Sequence, residues 1–131
     1  MSDLVIRLEM TSPTPHYEQL RVQIAAMIHS GALRPGERLP TARALANDLG
    51  IAAGTVTQAY RNLEAGGLAL TRRRTGTVVR AGETTSVDKS ILADARLLVE
   101  AARRDGLSDG QIRDIMHAAL LNPTPDVGPF E

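Results

Sequence analysis

Two short helical patterns follow one another in the middle of the chain, with only a few residues between them. The first covers about Ala42–Leu49 and ends at Gly50, and the second covers about Gly54–Ala65 and ends at Gly66. In the second, apolar residues recur at i, i+3, i+4 and i+7, which is one face of a helix. These residues are Val56, Ala59, Tyr60 and Leu63. Two helices joined by so short a connection predict a helix-turn-helix.

The flanking segments supply a further helix and a hairpin. A preceding helix is predicted from about Pro15 to Ser30, with Thr14 as its N-cap and Pro15 at the first helical position. Two short apolar runs, Leu68–Leu70 and Thr77–Val79, predict a β-hairpin in which Gly76 takes a positive φ. The predicted inward face of the first helix consists of Tyr17, Leu20, Ile24, Met27 and Ile28.

Three helices followed by a hairpin form the layout of a winged helix-turn-helix, which we expect over residues 1–82. Alternating residues at Leu4–Leu8 add a short edge strand to this prediction. A polar linker at 83–86 leads to a helical hairpin at 87–121 and a flexible tail at 122–131. The predicted fold class is therefore mainly α with a small β-hairpin.

The C-terminal helices carry more apolar side chains than two helices can bury against each other. They are predicted at about Val87–Arg104 and Asp109–Leu121, and Ser108 with Gln111 forms a capping box for the second. Two such hairpins packed about a two-fold axis would bury these side chains in a homodimer. The alternative is that the hairpin folds back onto the winged domain and buries them within one protomer. The predicted interface residues are Ile91, Leu92, Leu98, Val99, Ile112, Ile115, Met116 and Leu120.

The net charge of zero conceals an asymmetry between the two parts of the chain. Residues 1–82 contain ten arginines and six acidic residues, a net charge of +4, and residues 83–131 carry −4. Such an asymmetry is typical of a nucleic-acid-binding module joined to a second element, although arginines that only solvate a surface remain an alternative.

The second helix of a helix-turn-helix enters the major groove of DNA, so its exposed residues are candidates for base contacts. Thr55, Thr57 and Gln58 point away from the apolar face, and Gln58 has the chemistry to pair with adenine. Arg61 is better placed for a phosphate, and backbone amides at Gly54 can also approach one. An ordinary solvated helix face is the competing interpretation.

Two further sets of residues are candidate DNA contacts. Arg43 begins the preceding helix, where it would approach the sugar-phosphate backbone or form a surface salt bridge with Glu37 or Asp48. Guanidinium groups at the hairpin tip would repel one another without an anionic partner, which favours phosphate contact by the wing. The candidate residues at the tip are Arg72, Arg73, Arg74, Thr75 and Gly76.

The order and spacing of these motifs resemble the GntR family of bacterial regulators. The resemblance rests on Pro15–Leu20, on Ser30–Gly50 with its Arg-Pro-Gly-Glu-Arg-Leu-Pro-Thr run, on Thr55–Leu68 and on Gly76–Val79. The short helical tail is similar to that of the YtrA-like branch. This resemblance implies a homodimeric repressor that dimerises through its tail. Because such a dimer carries two winged domains, we expect it to bind a pseudo-palindromic operator.

The chain departs from the family pattern at two positions. Ala52–Ala53–Gly54 replaces the Ser-Arg or Asn-Pro-Asn sequence of many relatives, so the side chain that could cap the recognition helix is missing. In the wing, Arg74 occupies the first glycine of the usual Gly-x-Gly. We therefore expect base reading to come from Gln58, Arg61 and the arginines of the wing.

The remaining composition excludes several other classes of protein. There is no cysteine, and the three histidines lack metal-ligand spacing with acidic residues, so we expect neither a metal site nor a cofactor. No glycine-rich phosphate loop, carboxylate pair or nucleophile motif indicates an enzyme. With no signal-peptide pattern and no long apolar run, we expect a cytoplasmic protein that associates with the nucleoid when bound to DNA. The sequence neither indicates nor excludes a small-molecule effector. The alternative function is a protein-binding adaptor with a winged-helix scaffold.

Overall fold

Within the described residues, five helices and one antiparallel hairpin follow in the predicted order, which confirms the fold class. The computed structural model describes residues 4–80 and 90–121. Contacts within the chain divide it into two units, Met1–Ile91 and Leu92–Glu131. The predicted linker 83–86, the predicted tail 122–131 and the first residues of the predicted fourth helix, 87–89, lie outside the described residues.

The helices of the first unit are α1 (His16–His29), α2 (Ala42–Leu49) and α3 (Ala53–Ala65). They surround one core, which includes Leu20 and Ile24 of α1 and the predicted inner face of α3. The whole of that face is buried, as the periodicity predicts, and leucines of the loops complete the packing: Leu33 and Leu39. Because aromatic side chains are scarce, these aliphatic contacts supply the apolar burial that stabilises the unit.

Two predictions for α1 are wrong. Pro15 and not Thr14 occupies the N-cap, where no side-chain hydrogen bond is made, and the Thr14 carbonyl instead accepts a hydrogen bond of 2.8 Å from Gln19 Nε2. Tyr17 does not lie in the core but is more than one third exposed. It lies in the first turn of α1, and periodicity misplaced it because a period defines a face of the helix but not the neighbours that cover each part of it.

The N-terminal segment Leu4–Glu9 is not a strand, although its side chains alternate between half-buried and exposed as predicted. Its backbone pairs with side chains of α1 and not with another strand. Gln23 accepts from the Arg7 amide at 3.0 Å and donates to the Arg7 carbonyl at 2.7 Å. Gln19 does the same for Glu9, at 2.8 and 3.1 Å. We call this arrangement the glutamine clamp, because two side-chain amides replace the partner strand.

Removal of the glutamine clamp should destabilise the first unit. Four hydrogen bonds link the clamp to the segment, and the apolar side chains Leu4, Ile6 and Leu8 pack on the core beside it. We expect Gln19→Ala with Gln23→Ala to lower the free energy of unfolding by about 2 kcal/mol, measured by urea denaturation. The control is Val22→Ala on the exposed side of α1, expected to change it by less than about 0.5 kcal/mol. Equal stability of the double variant and the wild type would contradict the role of the clamp.

The wing consists of β1 (Ala69–Arg72) and β2 (Gly76–Val79), paired in antiparallel register from Ala69↔Val79 to Arg72↔Gly76. Gly76 has φ 75°, as predicted for the turn. A third segment, which sequence reasoning missed, lies along the other edge of β2. The Leu39 amide donates to the Thr77 carbonyl, the Gly36 amide to the Val79 carbonyl and the Val79 amide to the Glu37 carbonyl, each at 2.8 Å.

The second unit contains α5 (Asp109–Leu121) and most of α4 (Ser90–Arg104). The predicted capping box is confirmed: Gln111 Oε1 accepts from the Ser108 amide at 2.8 Å, and Ser108 Oγ accepts from the Gln111 amide at 3.2 Å. Arg103 and Asp109 form an ion pair of 3.0 Å between the two helices. In the part of the chain that the structure describes, no helix is both long and apolar enough to cross a bilayer.

Candidate nucleic-acid interface

Two capping signals and one buried hydroxyl fix α3 relative to α2. Thr41 Oγ1 accepts from the Ala44 amide at 3.1 Å, which confirms it as the N-cap of α2, and Gly50 ends that helix in the left-handed conformation. Tyr60 of α3 donates its hydroxyl to the Pro40 carbonyl at 2.7 Å. Burial raises the pKa of Tyr60, so the hydroxyl remains a donor over the physiological range. The two helices are therefore held as one body.

The outward face of α3 is formed by the residues that the sequence singled out. Gln58 and Arg61 are exposed, and Thr55 and Thr57 are half-buried. Thr57 donates its hydroxyl to the Ala53 carbonyl at 3.1 Å, within its own helix. Gln58 donates from Nε2 to Asn62 Oδ1 at 3.0 Å. The face thus combines an amide, a guanidinium group and apolar methyl groups.

The N-terminus of α3 has no side-chain cap, as the Ala52–Ala53–Gly54 sequence predicts. A Cβ added at Gly54 would meet no atom within 4 Å, so this glycine faces open space. Backbone amides at the start of a helix attract anions because they carry the positive end of the helix dipole. The bare turn therefore offers backbone donors where other sequences offer a side chain.

The tip of the wing is an exposed cluster of cations. Arg72, Arg73 and Arg74 are exposed together with Thr75 and Gly76. Within residues 4–80 and 90–121, none of these three arginines has a carboxylate in ion-pair distance, since the ion pairs there are Arg21–Glu18 and Arg103–Asp109. The Thr71 and Thr77 hydroxyls meet across the hairpin at 2.9 Å, which aligns the two strands below the tip. The wing therefore presents concentrated positive charge to an external anion.

Arg43 is exposed at the second position of α2. The salt bridge with Glu37 or Asp48 that the sequence allowed is absent from the described chain, where Glu37 Oε1 instead accepts from the Arg34 backbone amide at 3.0 Å. The guanidinium group of Arg43 is therefore available to an anion beside the start of α2.

Sequence reasoning missed two residues near these groups. Asn62 contacts Gln58, as described above, and its signal was the i, i+4 spacing of two amides on one helix. Arg38 is exposed and its backbone bridges to Val78 of the wing. No local pattern indicates that bridge, because it joins segments about forty residues apart in the chain.

The predicted dimerisation residues lie on α4 and α5, and most of them remain exposed within the chain. Ile112 is buried and Leu92 and Val99 are half-buried, but Leu98 is 46% exposed, Ile115 51% and Leu120 76%. Ile91 and Met116 are exposed as well. Leu97 and Leu121, which were not predicted, add two exposed leucines. Such a concentration of exposed apolar surface is typical of a protein-protein interface.

Comparisons with known proteins agree on one family. Residues 16–79 match the family described as bacterial regulatory proteins, gntR family. An HTH-type transcriptional regulator of Mycobacterium tuberculosis is 42% identical over 103 residues, which cover 79% of this chain and 84% of that protein. The HTH-type transcriptional repressor YtrA of Bacillus subtilis is 34% identical over 63% of this chain and 64% of its own length.

A solved structure extends the likeness to three dimensions. YtrA from Sulfolobus acidocaldarius, a GntR-family transcription factor, is 32% identical and superposes with a TM-score of 0.56. The match covers 75% of this chain and 99% of that one.

Proposed function

Because the chain belongs to the GntR family of bacterial regulatory proteins, in its YtrA-like form, and is a DNA-binding transcriptional regulator, we propose that it is a homodimeric repressor of its own operon. The observation that carries the DNA part of this proposal is the set of arginines on the wing, which have no anionic partner in the described chain. Phosphates of a pseudo-palindromic operator would neutralise them.

In the proposed complex, α3 enters the major groove and the wing reaches an adjacent groove. Thr55, Thr57 and Gln58 face the bases, and Arg61 and Arg43 contact phosphates. The amides at Gly54 approach the backbone, because no side chain stands between them and the DNA. At the tip of the wing, phosphate or minor-groove contacts come from Arg72, Arg73, Arg74, Thr75 and Gly76.

Dimerisation through α4 and α5 would cover the exposed apolar residues of the second unit. When one winged domain of the dimer is bound, the other is held at a high effective concentration near the second half-site. The affinity of one domain for one half-site can therefore be low while the dimer still binds the whole operator specifically. Repression is proposed because the Bacillus subtilis relative is a named repressor. We further propose that the protein acts in the cytoplasm and catalyses no reaction.

Mobility-shift and footprinting experiments on the upstream region of its own operon test this function. We expect retardation of one specific fragment and two protected half-sites related by two-fold symmetry. Affinity should fall about a thousandfold between about 50 and about 200 mM salt if the dimer neutralises about six phosphates. Arg61→Ala combined with Arg73→Ala should abolish the retardation.

The adaptor function predicts the opposite result. The one observation in its favour is the recognition helix without a side-chain cap. If no upstream fragment is retarded at low salt, or if affinity does not change with salt, the protein does not act through DNA in the proposed way. Protection of a single half-site would instead contradict the dimer.

A further inference from the structure

Gln58 and Asn62 form a hydrogen-bonded pair on the outward side of α3. Nε2 of Gln58 donates to Oδ1 of Asn62 at 3.0 Å, one helical turn further along. Gln58 is exposed and Asn62 is half-buried, so Asn62 is the more closely packed of the two side chains. Pairs at this spacing stabilise a helix only slightly, which leaves room for a second role.

The chemistry of a primary amide gives this pair a consequence for base reading. Glutamine recognises adenine with two bonds at once: its oxygen accepts from the N6 amino group and its nitrogen donates to N7. A glutamine amide turned by half a rotation presents the opposite order and loses both bonds. In this pair Oδ1 of Asn62 faces Gln58 and accepts, so the hydrogen bond engages the nitrogen end of the Gln58 amide. The second Nε2 hydrogen and Oε1 are left for a base.

The neighbouring side chains do not duplicate this arrangement. Thr57 donates its hydroxyl to the Ala53 carbonyl within its own helix. Arg61 is a donor without an acceptor, which suits a phosphate or a guanine and not adenine. Discrimination for adenine by these three side chains therefore depends on the orientation of one amide.

We propose that Asn62 is a positioning residue that sets the orientation of the Gln58 amide and so gives the protein a preference for adenine at one position of each half-site. The inference rests on the proposed function, in which α3 enters the major groove. Asn62 itself makes no base contact in this proposal and acts through Gln58.

The test uses the full-length protein and the duplex that footprinting identifies. Each adenine of a half-site is replaced in turn by 7-deazaadenine, which lacks the N7 acceptor and keeps the Watson–Crick pairing. For the wild type, we expect one position at which this replacement weakens binding about tenfold. In Gln58→Ala the ratio of the affinity for the unmodified duplex to that for the modified duplex should fall to about one, because the base contact is gone. In Asn62→Ala it should fall to about two, because the amide is no longer held.

Asn62→Asp is the matched control, since it keeps an acceptor at the same place. Its negative charge weakens binding to both duplexes alike, so the ratio between them should remain about tenfold. A residue that only stabilised the helix would lower both affinities and leave the ratio unchanged in Asn62→Ala. Urea denaturation of each variant checks that the fold is retained.

Two results would overturn the proposal while the proposed function stands. The first is an Asn62→Ala variant whose affinity ratio between the unmodified and the modified duplex equals that of the wild type. The second is a Gln58→Ala variant that still binds the duplex with 7-deazaadenine at that position more weakly than the unmodified duplex. Absence of any footprint would remove the proposed function itself and this inference with it.

Discussion

Replacing Arg72, Arg73 and Arg74 together by alanine should weaken operator binding by at least about a hundredfold at moderate salt. The three guanidinium groups are exposed and have no carboxylate partner in the described chain, so the change removes positive charge without breaking an internal bond. Fluorescence anisotropy at several salt concentrations measures the effect. If each subunit loses one phosphate contact, the slope of log K against log salt becomes shallower by about two in the dimer.

The control for this variant removes the same charge elsewhere. Arg96, Arg104 and Arg113 are exposed on α4 and α5 and form no ion pair within the described residues. Their replacement by alanine should change operator affinity by less than about threefold, because the proposed DNA contacts lie on α2, α3 and the wing and not on α4 or α5. Equal losses in the two triple variants would mean that net charge, and not the wing, governs binding.

Introducing charge into the apolar face of the tail should have the second large effect. Leu98→Glu combined with Ile115→Glu places two carboxylates in a surface that the proposed dimer buries. Since a buried unpaired charge is strongly unfavourable, we expect a monomer in sedimentation velocity. Operator affinity should then fall about a hundredfold or more, because binding of one winged domain no longer holds a second one near the other half-site.

A matched double variant separates this effect from a general effect of acidic charge. Ala93 and Ala118 are exposed on α4 and α5. At 100° per residue, each lies on a different side of its helix from the predicted interface residues. Ala93→Glu with Ala118→Glu should leave the dimer intact. If it dissociates the dimer and Leu98→Glu with Ile115→Glu does not, the interface is on the opposite side, with Leu97 and Leu121.

Local signals predicted most of the fold, because helix ends and helix faces are decided by neighbouring residues. The bounds of α2, its Thr41 cap, its Gly50 end and the capping box at Ser108 all follow from a few adjacent side chains. The buried face of α3 follows from its period. For the same reason, the sequence identified the exposed residues of α3 and the wing as candidate contacts.

Features that depend on distant partners were not predicted. Alternation at Leu4–Leu8 predicted a short edge strand, which the structure does not contain there, and gave no sign that Gln19 and Gln23 would bind the backbone of this segment instead. The pairing of Gly36–Leu39 with β2 joins segments that no periodicity connects. Tyr17 was misplaced in the core because periodicity describes a face and not the neighbours that cover it.

The backbone bonds between Gly36–Leu39 and β2 also affect how the protein meets a duplex. Leu39 is followed directly by Pro40, which accepts from Tyr60 of α3, and by Thr41, which caps α2. The wing is thus tied through a continuous chain of hydrogen bonds to the helix that would enter the major groove, and the spacing between the two is set before any DNA arrives. A duplex whose groove width matches that spacing needs less deformation than one that does not. In the proposed complex we therefore expect base steps that no side chain touches to contribute to the choice of operator through their stiffness.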